Sequence, residues 1–524
     1  MSKRIEIYDT TLRDGAQGPG VKFSAADQLN VVRALDDLGV SYIEGGQPGS
    51  NPKAVELFAR SADMELKHAK MAAFGSTRHP KAAVEDDANI KALLSANTEV
   101  ITIFAKSSSL HAREILKVGL EGNLQLVEES VSYLKSQNRR VILDAEHFFD
   151  GFFEDSDYAL AVLACGWEAG AECLVLCETN GGRLPHEVAE ATRRVRAHLP
   201  DARIGIHTHN DAGCAVANSL ASVQEGAVHV QGTINGYGER TGNVDLCSVI
   251  PNLQIKMGYK VLTEEQLVRL THTSHLVAEL ANMSPRDHAP YVGRDAFTHK
   301  GGMHADAVRK LKASYEHIDP QAVGNTTHIA VSEVSGRSSL IQKAQEFGIE
   351  LDRDGAEVRQ ILESVKKLEN EGYEFEGADA SLELIMRRAI GRHKIFFKPL
   401  GYNVRISHVG SDPILSEATM KLALPDGRVM HTVAEGFGPV DALNQTLRKA
   451  LQSTYPELKE VHLEDYKVRI LDGKKATRAT TRVLIESSDK VASWNTVGVS
   501  ENIITASYLA LLDSIEYKLL KSSD

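Results

Sequence analysis

The sequence lacks the long apolar runs and the cysteine pairs that mark membrane and secreted proteins. No apolar stretch approaches the roughly 20 residues of a membrane span, and the first residues lead directly into a predicted strand without a targeting segment. The five cysteines form no CxxC pair, and an odd number of cysteines without a signal peptide fits a reducing compartment. We therefore expect a cytoplasmic protein that has no membrane partner.

An excess of basic residues is also missing. The formal net charge is -12, from 59 Lys and Arg against 71 Asp and Glu. General binding to nucleic acid or to an anionic membrane needs a basic surface, so we expect neither partner. The hydrophobic share of 42% and the charged share of 25% are those of an ordinary globular protein, and 524 residues suffice for two to four domains.

The first 260 residues alternate eight short apolar segments with amphipathic helical segments. The predicted strands cover residues 5–8, 42–44, 70–74, 100–104, 141–143, 173–176, 203–206 and 228–232. Eight strand–helix units in this length predict a parallel (β/α)8 TIM barrel rather than an open doubly wound sheet. No GxGxxG follows the first strand, which argues against dinucleotide binding. Polar side chains follow the strands, so we expect them to meet at the C-terminal face of the barrel.

The hydrophobic pattern changes twice after the barrel. Residues 284–340 are rich in loops and 341–392 show helical periodicity, whereas the remainder reads as three strands and a helix, twice over. This βββα duplication predicts a separate α+β module. We therefore expect a catalytic barrel at 1–283, helical linker subdomains at 284–400 and a C-terminal regulatory domain at 401–524.

Two histidines, His207 and His209, follow the seventh predicted strand one residue apart. Alternate side chains of a strand point the same way, so both imidazoles can face one point. Asp14, after the first strand, adds a carboxylate, and Asn243, in the loop after the eighth strand, can add a carbonyl oxygen. This donor set suits Mg²⁺, Mn²⁺ or Zn²⁺, with positions left open for substrate oxygens. Read alone, the histidines could also be loop residues without a shared role, and Asn243 a turn residue.

Arg13 adjoins the predicted metal carboxylate. A guanidinium at this place would stabilise negative charge that develops on a substrate oxygen. Glu44, at the end of the second strand, could hold Arg13 or accept a bond from a substrate hydroxyl. The alternative for Arg13 is a purely structural ion pair.

Three segments resemble the signatures of one enzyme family. Residues 9–15 with Gln17 resemble the opening signature of the α-isopropylmalate/homocitrate/citramalate synthase family, within the DRE-TIM metallolyases. Residues 207–211, His-Thr-His-Asn-Asp, and residues 232–243 resemble two later signatures of this family. Immediately before Gln17 the family usually has Glu, where this chain has Ala16. By similarity, the family's metal aspartate, its arginine and its second-strand glutamate correspond to Asp14, Arg13 and Glu44.

The resemblance implies a chemistry and assigns roles to further residues. The family joins the acetyl group of acetyl-CoA to a 2-oxo acid with the help of a divalent metal and then hydrolyses the thioester. By similarity, Glu146 and His304 would remove the proton from the acetyl methyl group, with Tyr315 assisting, and Thr179 would contact the substrate carboxylate. In this family the residues after the barrel reach the active site of the partner subunit, which implies a homodimer or a higher homo-oligomer.

Local resemblance also points to an acceptor and an effector. Residues 43–53 resemble the citramalate synthase branch, which uses pyruvate, although Gln47 stands where that branch has an aromatic residue. The alternatives within the family are 2-isopropylmalate synthase, with 2-oxoisovalerate as acceptor, and homocitrate synthase. Residues 436–442 resemble the signature of the regulatory domain. This implies feedback by a branched-chain amino acid, isoleucine for the pyruvate-using branch, and a threonine-independent route to isoleucine.

Three other functions fit part of the sequence. An HMG-CoA lyase would share the barrel and the metal site but needs a cysteine in the loop after the eighth strand, and residues 236–243 contain none. A biotin-linked carboxyltransferase needs a lysine for carbamylation at a strand end and a biotin partner, and it fits the motifs poorly. A non-catalytic amino-acid sensor on an inactive barrel would leave every metal ligand without a role. CoA release that depends on a 2-oxo acid and a divalent metal separates the enzyme from the sensor.

Overall fold

The chain folds into two compact units. The computed structural model describes residues 3–299, 307–308, 310–329, 337–352, 355–375, 377–407, 415–471 and 479–523. The first unit contains the chain through Phe297 together with Glu316–Thr327, and the second contains the described residues of 298–315 and 328–524. Each unit has hydrophobic clusters of its own. In the part of the chain that is described, no helix has both the length and the apolar composition needed to cross a bilayer.

Eight parallel strands of the first unit close into a barrel in sequence order. They are β1 (Glu6–Asp9), β2 (Tyr42–Glu44), β3 (Lys70–Ser76), β4 (Val100–Lys106), β5 (Arg140–Glu146), β6 (Cys173–Glu178), β7 (Ile204–Thr208) and β8 (His229–Gly232). Strand β1 pairs with both β2 and β8, which closes the cylinder. The predicted (β/α)8 barrel is confirmed.

Helices follow the strands around the barrel. They are α1 (Ala25–Leu38), α2 (Pro52–Ser61), α3 (Ala88–Ser95), α4 (Gly119–Ser136), α5 (Phe148–Glu154), α6 (Ser156–Glu168), α7 (Pro185–His198), α8 (Ala215–Gln224), α9 (Leu246–Pro251), α10 (Glu264–Leu267) and α11 (Leu270–Leu280). Local chemistry sets the limits of α1. Ser24 forms a capping box with Asp27 at its start, and Gly39 takes the left-handed conformation at its end.

Several strands run further than the apolar pattern predicts. Strands β4 and β5 continue to Lys106 and Glu146, two to three residues beyond the predicted ends, and β7 includes His207. A barrel strand is hydrogen-bonded on both sides, so the ladder holds a polar residue in extended conformation as firmly as an apolar one. The polar side chains of the C-terminal face therefore stand partly on the strands themselves.

The second unit combines helices with two antiparallel sheets. Its helices are α12 (Arg337–Glu346), α13 (Ala356–Asn370), α14 (Asp379–Ala389), α15 (Pro439–Leu451) and α16 (Ile503–Ser523). Its strands are β9 (Thr298–His299), β10 (His328–Ile329), β11 (Lys398–Ser407), β12 (Leu415–Ala423), β13 (Val429–Gly436), β14 (His462–Ile470), β15 (Thr481–Ser488) and β16 (Ser493–Ser500). The sheet β11–β12–β13 precedes α15 and the sheet β14–β15–β16 precedes α16, and one hydrophobic cluster joins both halves. The duplicated βββα module is confirmed.

Candidate active site

A cavity of about 290 Å³ opens among the C-terminal ends of the barrel strands. It is lined by Arg13, Asp14, Gln17, Gln47, Phe74, Phe104, Asp144, Glu146, Cys177, Thr179, His207, His209, Glu239 and Arg240. This is the face on which TIM barrels carry out their chemistry, because each strand can deliver a side chain to it from a rigid support. Most of the residues that the sequence singled out for the barrel therefore share one site.

Asp14, His207 and His209 converge in this cavity. Their ligand atoms all lie within 4.8 Å of one another. Nε2 of His207 is 3.4 Å from Oδ2 of Asp14 and 3.3 Å from Nε2 of His209. The alternation of side chains along β7 brings the two imidazoles together, as predicted. Among the described residues this is the group of His, Cys, Asp and Glu side chains that could hold a metal ion.

The electrostatics of this group suit a cation. Burial acts to raise the pKa of Asp14, but the charges of Arg13, His207 and His209 and a hydrogen bond from Asn243 together outweigh it and lower the pKa to about 2. Burial lowers the pKa of His207, and burial together with the neighbouring His207 lowers the pKa of His209 to about 4. At neutral pH the site therefore offers an ionised carboxylate and two neutral imidazoles, which is the state that metal binding requires.

Asn243 lies beside this group and is predicted as a fourth metal ligand. Its backbone pairs with that of His209, and its Nδ2 donates to the carbonyl of Tyr237 at 3.1 Å. Oδ1 of Asn243 and Nδ1 of His209 are buried, and neither has a hydrogen-bond partner among the described residues. Two nitrogen ligands at about 2.1 Å from one ion lie about 3 Å apart when they subtend a right angle, close to the observed Nε2 separation of the histidines. The donor set therefore fits a divalent ion.

Arg13 lies beside Asp14, and its side chain is held by three neighbours. Its Nη1 is 3.1 Å from Oδ2 of Asp14, its Nε donates to Glu44, and its Cζ stacks 3.9 Å from the ring centroid of Phe74. Burial acts to lower the pKa of Arg13, but the charges of Glu44 and Asp14 outweigh it and raise the pKa. The guanidinium is therefore permanently charged and has little freedom to turn.

Glu44 is the anchor of Arg13. It is fully buried, and besides Arg13 it accepts hydrogen bonds from Tyr8 Oη at 2.6 Å and Thr10 Oγ1 at 2.7 Å. Three protein donors thus use the two oxygens of its carboxylate. This arrangement agrees with the predicted role of Glu44 in holding Arg13. A direct contact of Glu44 with substrate stays a prediction.

Glu146 and Thr179 enter the cavity from neighbouring strands. Glu146 forms an ion pair with Lys106, its register partner on β4. Oγ1 of Thr179 accepts from the backbone N–H of His147 at 2.9 Å. Because this bond uses an oxygen lone pair, the hydroxyl proton of Thr179 can still be donated to a ligand. The pairing with Lys106 follows from strand register, which the sequence pattern alone does not supply.

The described cavity does not test two predicted catalytic residues. His304 lies outside the described residues. Tyr315 belongs to the second unit, where its side chain is half exposed and its ring stands 6.4 Å from that of His299. Their roles stay predictions.

Cys177 lines the cavity, but its burial disfavours the thiolate form. Burial raises the pKa of its thiol well above the ordinary value, and the nearby charges of Asp144 and Glu146 add to the rise. A thiol that stays protonated has little nucleophilic reactivity. Burial has the same effect on Cys247 after the loop of β8.

Asp144 and Gln231 are site residues that the sequence analysis missed. Asp144 lines the cavity, and Gln231 is completely buried behind His207. A signal was available for Asp144, since it stands two residues before Glu146 and shares its side of β5. Gln231 lies on β8 as the register partner of His207, but it belongs to none of the motifs that the sequence analysis used.

Comparison with known proteins assigns a family to each part of the chain. Residues 4–277 match the family described as HMGL-like. Residues 291–373 match the homocitrate synthase post-HMGL domain-like family, and residues 376–519 match the LeuA allosteric (dimerisation) domain.

Full-length relatives agree with these matches. The (R)-citramalate synthase of Geobacter sulfurreducens is 51% identical, over 99% of this chain and 98% of its own length. That of Aquifex aeolicus is 50% identical, over 100% and 99%. The 2-isopropylmalate synthase of Oceanobacillus iheyensis is 30% identical, over 98% and 96%. The chain belongs to the HMGL-like family and, within it, to the family of the (R)-citramalate synthases.

Proposed function

We propose that this protein condenses the acetyl group of acetyl-CoA with pyruvate and hydrolyses the thioester, giving (R)-citramalate and CoA. The observation that carries the proposal is the convergence of Asp14, His207 and His209 beside Arg13 in one cavity of the barrel. The sequence identity of 50–51% to two (R)-citramalate synthases along nearly the whole chain supports the same reaction.

We assign the steps of this reaction to residues of the cavity and to His304. Glu146, with His304, takes a proton from the acetyl methyl group, and the resulting carbanion forms a bond to the keto carbon of pyruvate. Arg13 stabilises the alkoxide that develops on the keto oxygen, and the alkoxide then takes up the proton that was removed from the methyl group. The hydroxyl of Thr179 donates to the pyruvate carboxylate. Water then cleaves the thioester, and CoA leaves as the thiol.

A divalent ion, Mg²⁺, Mn²⁺ or Zn²⁺, would be held by Asp14, His207, His209 and Asn243. When bound, it supplies Lewis-acid polarisation of the keto group of the acceptor. In the protein without the ion, the lowered pKa values of Asp14 and His209 already favour the ionised carboxylate and the neutral imidazole that bind a metal.

Pyruvate is the acceptor that the cavity favours. Phe74 and Phe104 stack with their ring centroids 5.6 Å apart and form one apolar wall. We infer that a wall of two aromatic rings favours the small methyl group of pyruvate over an isopropyl group. Such discrimination by size is worth about 1–3 kcal/mol.

The acceptor is tested directly by CoA release. We expect purified protein with acetyl-CoA and Mg²⁺ or Mn²⁺ to release CoA about 10- to 200-fold faster with pyruvate than with 2-oxoisovalerate, by the same size argument, and to show little turnover with 2-oxoglutarate. The product with pyruvate should be citramalate. A preference for 2-oxoisovalerate would make the protein a 2-isopropylmalate synthase. Absence of CoA release with every one of the three acceptors would favour the amino-acid sensor.

Replacing Arg13 with lysine should lower turnover with pyruvate by about 10²-fold, because lysine keeps the charge but loses the fork that meets both Glu44 and the developing alkoxide. Steady-state kinetics at saturating metal measure the loss. Arg140→Lys is a matched control, since Arg140 also pairs with a glutamate, Glu172, and lies over the Tyr42 ring at 5.8 Å, but sits at the start of β5. Equal effects of the two variants would remove Arg13 from the chemistry.

The second unit carries assembly and regulation in this proposal. Residues 376–519 match the LeuA allosteric (dimerisation) domain, which supports a homodimer or higher homo-oligomer and a branched-chain amino acid, isoleucine, as effector. An enzyme of this kind would serve a threonine-independent route to isoleucine. The five free cysteines and the use of acetyl-CoA fit a cytoplasmic enzyme.

A further inference from the structure

A buried amide contacts the metal group from behind. Oε1 of Gln231 is 2.9 Å from Nδ1 of His207, and Nε2 of Gln231 donates to Oδ1 of Asp144 at 2.9 Å. Gln231 is completely buried, and Asp144 and His207 are 4% and 5% exposed. Gln231 faces His207 as its register partner across β7 and β8, whereas Asp144 reaches it from β5 across the barrel interior.

The direction of these hydrogen bonds follows from the groups involved. The amide of Gln231 turns its N–H to Asp144, which leaves its carbonyl oxygen facing His207. Burial raises the pKa of Asp144 to about 8, and a carboxyl group keeps an acceptor oxygen in either protonation state. A carbonyl oxygen can only accept, so Nδ1 of His207 must carry the proton.

The position of that proton decides whether His207 can bind a metal. With the proton on Nδ1, the lone pair of Nε2 is free and points towards Asp14 and His209, at 3.4 and 3.3 Å. The opposite amide orientation would place an N–H against Nδ1 and move the imidazole proton to Nε2, where it blocks the metal.

We propose that Gln231 is a positioning residue that holds His207 in the Nδ1–H tautomer and thereby prepares Nε2 for the metal ion. The inference rests on the metal site of the proposed function. His209 provides the contrast, because its Nδ1 is buried without a partner among the described residues. Hydrogen bonds between side chains therefore orient the ring of His207. The ring of His209 is positioned by its backbone, which follows β7 and pairs with that of Asn243.

Mn²⁺ binding to metal-free protein tests this role without any substrate. Free Mn²⁺ is counted by its EPR signal during titration of the parent protein and three variants. Gln231→Met keeps the shape of the side chain but removes the acceptor, and we expect the Kd for Mn²⁺ to rise 10- to 100-fold. Gln231→Glu keeps an acceptor towards Nδ1 and should stay within about three-fold of the parent, by the same reasoning. Gln28→Met is the matched control, since Gln28 is buried in α1 and does not line the cavity, and the Kd of this variant should not change.

Each outcome bears on the inference. A Kd for Gln231→Met like that of the parent would overturn it, and so would a Gln231→Glu variant as weak as Gln231→Met, because packing rather than the acceptor would then matter. If Gln231→Met does not fold, Gln231→Leu takes its place: leucine also lacks an acceptor towards Nδ1 of His207, and unchanged Mn²⁺ affinity would overturn the proposal.

The same titration separates this inference from the proposed function. A parent protein that binds no Mn²⁺ would overturn the metal site and the role of Gln231 together. A parent that binds Mn²⁺ tightly, with the expected loss in Gln231→Met, would support the role of Gln231 even if pyruvate were not the acceptor.

Discussion

Replacing His207 with alanine is expected to lower CoA release with pyruvate by at least about 10³-fold. The imidazole is one of three groups whose ligand atoms lie within 4.8 Å of one another, and its loss leaves a divalent ion too few donors. Lewis-acid stabilisation is worth several kcal/mol of transition-state energy, and each 1.36 kcal/mol is a factor of ten in rate. The measurement is steady-state CoA release with excess Mg²⁺ or Mn²⁺.

Asp14→Asn is expected to act in the same way, because it removes the one anionic ligand without changing the shape of the side chain. His229→Ala controls for the loss of a buried imidazole. His229 lies on β8, is fully buried and stands 3.7 Å from Glu6 near the start of β1, away from the cavity. This control should lose stability, measured by thermal unfolding, but keep its turnover per folded molecule. Near-normal turnover in His207→Ala would show that the proposed metal site is wrong.

Replacing Glu146 with glutamine is expected to slow condensation by about 10²- to 10⁴-fold, the usual contribution of a general base. The amide keeps the size of the side chain but cannot accept the methyl proton. The specific readout is exchange of the acetyl methyl protons of acetyl-CoA for deuterium in D₂O with a bound 2-oxo acid. This exchange should fall together with CoA release.

Glu154→Gln is the matched control for Glu146. Glu154 ends α5 on the same rim of the barrel and accepts a hydrogen bond from Ser108 at 3.2 Å, but it does not line the cavity. Its exchange and turnover should stay close to those of the parent. Undiminished exchange in Glu146→Gln would take the base role from Glu146 and leave His304 as the candidate.

The barrel and the pair of histidines were accessible from the sequence because both depend on short-range periodicity. Apolar segments of strand length alternate with helical ones, and the limits of α1 follow from its own caps. His207 and His209 stand two residues apart, so one strand is enough to bring them together. Asp14 and Asn243 follow the first and eighth strands, so the same pattern placed these two predicted ligands on the C-terminal face.

Only the tertiary structure shows which side chains hold the site residues in place. The pairing of Lys106 with Glu146 and of Gln231 with His207 depends on register between strands that are 40 and 24 residues apart in the chain. Asp144 meets Gln231 across the interior of the closed barrel, 87 residues away. A sequence pattern shows which side of a strand a residue occupies, but it contains no information about which layer of the barrel that residue joins. Closure of the eight strands, with one fixed register, decides this.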